Sequence, residues 1–318
     1  MRSGIVVVLA VFVGCQVPFT QSSSVKRAET HLARGNALAE TGNLEEGIRE
    51  ITEGIHLAPR VAPLYFYRGI IWYEKGEINN AIADYSRAVQ IRPDYKQAYL
   101  NRGLMFEKKG KLDLALKDYN KVLEIDSRLY IAYISRGNVW AEKGAFDQAL
   151  LDYNRALLLN PRDANIYVNR GDLWLDKGDI EMAVADYSFA IKLNPKDVGA
   201  YISRAYAYDE KEDTDSAIMD LSTALRLDPR NAVAYNNRGY AWFRRQDYKR
   251  AMEDFNSSIR VNPGFAEAYY SRVELWLAMG NRKAAYLDAQ RAASLVPKEE
   301  RYIDRVRRLE QEANDRVK

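Results

Sequence analysis

Residues 164–197 read ANIYVNRGDLWLDKGDIEMAVADYSFAIKLNPKD, and they fix how the rest of the chain is read. Tyr167, Gly171 and Trp174 stand at i, i+4 and i+7, one face of a helix. Gly178 follows where that helix must stop, and Asp179 then stands as the N-cap of a second helix. Ala183 and Tyr187 lie on the second helix, and Pro195 closes the stretch.

The same text recurs in both directions. Prolines at Pro59, Pro93, Pro161, Pro195, Pro229, Pro263 and Pro297 are spaced by 34 residues, with Ser127 filling the one gap. Eight gapless units begin at Ala28, Ala62, Lys96, Tyr130, Ala164, Val198, Ala232 and Ala266. Unit position 8 is small or nearly so, from Gly35, Gly69, Gly103, Gly137 and Gly171 through Ala205 and Gly239 to Val273. Position 20 is Gly47 and then alanine from Ala81 to Ala285. Position 11 carries Trp72, Phe106, Trp140, Trp174, Tyr208, Trp242 and Trp276. Gly42, Gly76, Gly110, Gly144, Gly178 and Gly280 punctuate the first helices, and Asn43, Asp179, Asp213, Asp247 and Asn281 are placed to cap the second.

A 34-residue helix–turn–helix unit with this pattern of small, aromatic and proline positions resembles the tetratricopeptide repeat. The resemblance covers residues 28–299. It implies an all-α fold, a right-handed α-solenoid superhelix of eight hairpins (28–61, 62–95, 96–129, 130–163, 164–197, 198–231, 232–265 and 266–297). Residues 298–318 are expected to form a C-terminal capping helix. Ile303, Val306, Leu309 and Ala313 form its apolar stripe, and Arg301, Arg305, Arg307 and Arg308 form its wet face.

Two further columns repeat. Position 7 is arginine in all eight units, from Arg34 to Arg272, and position 23 is acidic in all eight, from Glu50 to Asp288. They predict a ladder of ion pairs within or between units, with a structural role. Position 6 alternates as Asn101, Ser135, Asn169, Ser203, Asn237 and Ser271. In the family, positions 2, 5, 6, 9, 12 and 13 of the first helix line the concave groove. Asn at position 6 resembles the ladder by which some members hold a peptide backbone, an amide offering both donors and an acceptor. The other reading is a row of small polar residues on a solvated face.

The same positions give the groove its expected character. Glu107, Glu142, Asp172, Asp176, Asp209 and Glu210 make it acidic. Phe66, Tyr67, Ile70 and Tyr73 are read as an apolar patch, and Tyr240 with Phe243 as a smaller one. Such a groove favours a protein or peptide partner with a basic segment and repels nucleic-acid phosphates.

Composition narrows the function. Lys plus Arg number 47 and Asp plus Glu 44, a formal charge of +3, which is no footprint of a nucleic-acid binder. One cysteine, Cys15, and two histidines, His31 and His56, leave no stock for a thiolate cluster or a His-based centre. No phosphate loop or nucleophile elbow is present, and the glycines are accounted for by the repeats. No enzyme, cofactor, metal or small-molecule substrate is expected.

The N-terminus reads separately. Met1-Arg2 precede an apolar run from Gly4 to Val13, the pattern of a secretory signal. Phe12-Val13-Gly14-Cys15 resembles the bacterial lipobox, departing from it at Phe12, where leucine is usual. The resemblance implies cleavage after residue 14, lipidation of Cys15 and a tether over 15–27 that stretches to about 40 Å. The other reading is a cleaved signal or signal anchor with Cys15 incidental, giving a secreted or signal-anchored chain. The expectation is a non-catalytic adaptor of the bacterial cell envelope, a membrane-anchored lipoprotein facing the periplasm or the exterior. The alternative is an assembly component of a secretion or pilus-type machine, or a self-associating scaffold.

Overall fold

The computed structural model describes residues 23–315. The signal segment, Cys15 and residues 15–22 of the expected tether lie outside them. The described residues hold helices joined by tight turns and no strand. They fall into two compact units, one ending at Arg162 and one starting at Asp163.

The first unit contains four helix hairpins: α1 (Ser23–Glu40) with α2 (Leu44–Leu57), α3 (Ala62–Glu74) with α4 (Ile78–Ile91), α5 (Lys96–Lys108) with α6 (Leu112–Ile125), and α7 (Tyr130–Glu142) with α8 (Phe146–Leu159). The second contains α9 (Ala164–Asp176) with α10 (Ile180–Leu193), α11 (Val198–Glu210) with α12 (Thr214–Leu227), α13 (Ala232–Arg244) with α14 (Tyr248–Val261), α15 (Ala266–Ala278) with α16 (Arg282–Leu295), and α17 (Glu300–Asp315). Each hairpin matches one 34-residue repeat. In each unit a helix packs on its hairpin partner and on the first helix of the next hairpin, the all-α solenoid arrangement.

The turn chemistry follows the sequence. Gly42, Gly76, Gly110, Gly144, Gly178 and Gly280 all take positive φ, between 66° and 85°, where a β-carbon would crowd the backbone. Asp179, Asp213, Asp247 and Asn281 accept the amide N–H three residues on and so satisfy an orphan donor of the second helix. Asn43 does not cap; its amide donates to Thr41 Oγ1 instead.

The core is a side-chain interlock between positions 8 and 24. A β-carbon on Gly69, Gly103, Gly137 or Gly171 would stand 2.6–2.8 Å from a ring atom of Tyr85, Tyr119, Tyr153 or Tyr187. Where position 8 grows to Ala205 or Val273, position 24 shrinks to Leu221 or Ala289, and all four are buried. Volume is conserved at each layer, as close packing requires.

The expected ion ladder is present, and it runs both within and between hairpins. In seven units the position-7 arginine grips the position-23 aspartate of its own hairpin through two parallel hydrogen bonds; Arg102 Nε and Nη2 reach Asp118 at 2.8 and 2.7 Å. Its third arm donates to position 25 of the preceding hairpin: Arg102 to Ser86, Arg136 to Asn120, Arg204 to Ser188, Arg238 to Ser222. The guanidinium also sits 5.4–5.9 Å from the ring at position 4, as for Arg102 on Tyr99 and Arg170 on Tyr167. The aspartate hydrogen bond holds Arg136, Arg204 and Arg238 above the usual arginine range. The first hairpin departs from the ladder: Glu50 takes His31 Nδ1 at 2.8 Å, and Arg34 is exposed.

Two terminal expectations change. Helix α1 begins at Ser23, so residues 23–27 are helical rather than tether; Val25 packs on the core one turn before the buried Ala28, which draws the chain into the helix. In α17 the stripe runs through Tyr302, Val306 and Leu309, while Ala313 is exposed. Arg305 faces inward to Glu274, because α17 packs where a further first helix would stand and answers the carboxylates of α15.

Candidate functional site

The second unit contains a groove of about 630 Å³. Its walls come from α11, α13 and α15, with Ala217 and Leu221 of α12 beneath. The helices are held by the arginine ladder, so the groove residues at their positions 2, 5, 6, 9, 12 and 13 stand on a fixed frame.

Three aromatic residues, Tyr206, Tyr240 and Tyr270, form apolar walls; Tyr240 is 42% exposed. Five carboxylates, Asp209, Glu210, Glu212, Glu267 and Glu274, ring them. Three of these are answered by arginines. Arg244 Nη1 donates to Asp209 Oδ1 at 2.8 Å and to the Asp209 carbonyl at 3.0 Å. Arg301 and the Tyr302 hydroxyl both donate to Glu267 Oε2, at 2.6 and 2.7 Å, and Arg305 pairs with Glu274. Among the described residues Glu210 and Glu212 have no cationic partner. Burial and the neighbouring Glu210 push the Tyr206 hydroxyl up in pKa. Asn236 borders the groove while only 5% exposed; its amide N–H₂ reaches Asn237 Oδ1 at 3.4 Å, and its own Oδ1 has no hydrogen-bond partner.

Among the described residues no group of three or more His, Cys, Asp or Glu could hold a metal ion, and no helix is long and apolar enough to cross a membrane. The groove offers a ring of acceptors around aromatic surface.

Family profiles described as TPR repeat match residues 69–110 and 137–175, and those described as tetratricopeptide repeat match 97–129, 164–197 and 202–260. Together they span more than half of the chain. The chain belongs to the tetratricopeptide-repeat family. No curated protein matches it in sequence. Among solved structures, this repeat protein is similar to a tetratricopeptide repeat protein from Parabacteroides merdae, at 22% identity over 78% of this chain and 98% of that one, with a TM-score of 0.64. It is similar to a chain of the APC/C hetero-tetramer Cut9-Hcn1, at 19% identity over 89% of this chain and 56% of that one, TM-score 0.62. It is also similar to pilF of Pseudomonas aeruginosa, at 18% identity over 66% and 95%, TM-score 0.57. At these identities the likeness is one of fold.

The structure brings Asn237, Asp209 and Tyr240 together in the groove, with Glu210. Phe243 stands beside it, its ring 6.2 Å from Tyr240 and stacked on Tyr248. Glu142 and Asp176 are exposed on their own helices. The row at position 6 is neither a ladder nor a solvated face where it is best seen. Asn101 and Ser135 are buried, at 8% and 6% exposure, and they bond the hydroxyl of the preceding hairpin's tyrosine, Tyr85 and Tyr119 respectively. Ser203 does the same for Tyr187 and is half-buried, as is Asn169. Those tyrosine hydroxyls also reach their own first helix: Tyr119 donates to Glu107 at 2.8 Å, Tyr153 to Asn138 at 2.7 Å, Tyr187 to Asp172 at 2.6 Å. Glu107 is thereby half-buried, and burial raises its carboxyl to about 6 despite the tyrosine bond.

Phe66 and Ile70 are not a docking patch. Phe66 is 2% exposed and packs among Tyr67, Tyr85 and Tyr95, since its face of α3 is turned into the core. Tyr67 and Tyr73 are half-buried against the same core. The sequence offers no signal at a groove position for Glu212, which stands in the turn after α11, but six further groove residues are within its reach: Tyr206, Asn236, Arg244, Glu267, Tyr270 and Glu274. They occupy unit positions 9, 5, 13, 2, 5 and 9, so applying the family's groove positions to every unit finds them.

Proposed function

We propose that this protein is a non-catalytic adaptor that holds a partner protein, as an extended segment, in the groove formed by α11, α13 and α15. The observation carrying this reading is the division of labour along each first helix. Positions 4, 7, 8 and 11 are spent on the core and the arginine ladder, while Tyr206, Tyr240, Glu210 and Glu212 of the groove belong to neither. Exposed aromatic surface ringed by polar groups is the composition of a protein-binding patch. A chain of the APC/C hetero-tetramer Cut9-Hcn1 shares this fold, a precedent for assembly on it.

In our reading the adaptor works at the bacterial envelope, anchored through a lipid on Cys15; two or more acyl chains hold a protein on a membrane where one does not. A photo-reactive amino acid placed at Tyr240 or, as control, at the exposed Leu287 of α16 tests the first point in the source cell. Partner adducts from Tyr240 are expected; adducts from Leu287 alone would move the binding surface off the groove. Labelled palmitate entering the native chain but not Cys15→Ser tests the second, and equal labelling refutes it.

A further inference from the structure

We infer that the groove of the second unit is a receptor for a cationic side chain, arginine or lysine, carried on the extended segment of the partner. The inference rests on the peptide-binding reading of this groove and adds the chemistry of its occupant.

Three observations agree. The carboxylates outnumber the cations: Arg244, Arg301 and Arg305 answer Asp209, Glu267 and Glu274, and Glu210 and Glu212 are left facing the cavity without a cation. Asn236 Oδ1 is buried beside the cavity with no donor. A buried acceptor without a partner is costly, and a guanidinium with five N–H groups or an ammonium with three supplies donors without adding an acceptor. An anionic occupant would supply none and would meet like charge. The rings of Tyr206 and Tyr240 provide faces on which a cation is attracted, as the Tyr270 ring already attracts Arg301 at 5.5 Å.

The backbone supplies a control for the same site. Glu212 takes φ of 63° and Gln246 φ of 60°, at the turn position where the other six hairpins among the described residues have glycine. A non-glycine residue is strained there. Glu212 borders the groove and Gln246 does not. Strain is thus retained at one position that carries a groove carboxylate, and its neighbour one hairpin on is an internal control.

The test uses the immobilised full-length chain and five acetylated heptapeptide mixtures. Their central residue is Arg, Lys, Gln, Glu or Leu, and the other positions are randomised over small uncharged residues. The Arg and Lys mixtures are expected to be retained about tenfold or more above Gln, the value of one charge-assisted hydrogen bond, with retention falling as salt rises. Glu212→Gly removes the carboxylate and relieves the turn, so a raised Tm together with loss of the Arg and Lys preference cannot come from unfolding. Glu210→Gln is expected to weaken the preference as well, and Gln246→Gly to raise Tm and leave it intact. If Leu or Glu mixtures are retained as strongly as Arg by the native chain, and Tyr240→Ala abolishes that retention, the cationic occupant is refuted while groove binding stands. If Arg and Lys retention survives both Glu212→Gly and Glu210→Gln, the cations bind elsewhere and the inference fails. If no mixture is retained, both the inference and the groove reading fall.

Discussion

Replacing Gly137 by alanine tests the layer that sets hairpin geometry. The added methyl would stand 2.8 Å from Tyr153 Cε1, 3.0 Å from Cδ1 and 3.3 Å from Cζ. The ring cannot withdraw freely, because it is 2% exposed and its hydroxyl is tied to Asn138 at 2.7 Å. Overpacking of this kind costs about 1–3 kcal/mol, and the better helix propensity of alanine returns about 1 kcal/mol. A net loss of up to about 2 kcal/mol is therefore expected. In a Tyr153→Leu background, which copies the Ala205–Leu221 layer, the clash disappears and the same substitution should be neutral or stabilising by up to about 1 kcal/mol. The coupling, about 1–3 kcal/mol, is the quantity that decides. Repeat arrays need not unfold in one step, so the local opening free energy of α7 and α8 amides by native-state hydrogen exchange is the better assay. A coupling of zero would refute the interlock.

Arg102→Ala leaves Asp118 buried without its two hydrogen bonds and Ser86 without a donor; a loss of about 3–5 kcal/mol is expected in urea unfolding, against under about 1 kcal/mol for Arg34→Ala, which is exposed and clasps no carboxylate. Equal losses would mean that the ladder is decorative. Glu107 is raised by burial from 4.5 to about 6, so the native state binds the proton more tightly than the unfolded one; stability is greatest below about pH 4.5 and falls, by on the order of 1–2 kcal/mol, as pH rises through 6. Glu107→Gln keeps an acceptor for Tyr119 and should flatten that step and raise stability at pH 7; an unchanged pH profile would count against the assignment. Glu212→Gly and Gln246→Gly should each raise stability by about 0.5–1 kcal/mol, strain relief outweighing the entropy of an added glycine; a fall in thermal midpoint in either would show that the turn is not strained.

The fold was legible because every unit repeats one local argument. A size-matched pair 16 residues apart, such as Gly103 and Tyr119, lies within one hairpin, so the spacing alone places the two side chains together. The Arg102–Asp118 pair was legible for the same reason. The contact from Tyr119 to Ser135 has the same 16-residue separation but joins different hairpins, and it depends on how far one hairpin is rotated on the next. No residue pattern within a single unit reports that rotation. Asn101 and Ser135 were accordingly assigned to the groove when the stacking had already engaged them. Phe66 was misplaced for a related reason: position 5 faces either the groove or the neighbouring hairpin, and the ring of Tyr95 decides in favour of the core. One signal of the site was present and unread. Two successive units, those of Glu212 and Gln246, lack the turn glycine, and Glu212 is at the groove.

The same stacking explains how the groove can be specific while the scaffold is generic. Each ladder arginine fixes its helix against two others, and the groove residues stand one, two or five positions from it: Asn237 and Tyr240 flank Arg238, and Tyr206 and Asp209 follow Arg204. Their Cα positions are therefore set by contacts in which they take no part. A tyrosine there can be replaced by a charge, or a carboxylate by an amide, without loosening the frame, and the cost of immobilising the helices is met before a partner arrives. Position 6 shows the limit of that freedom. Where the preceding tyrosine reaches it, as at Ser135, it belongs to the frame; position 24 before α13 is Leu221, which has no hydroxyl, and Asn237 is left to face the groove. The one exchange of tyrosine for leucine at Leu221 thus does two things at once. It makes room for Ala205 in the core, and it releases an amide into the cavity where the unpaired carboxylates already stand.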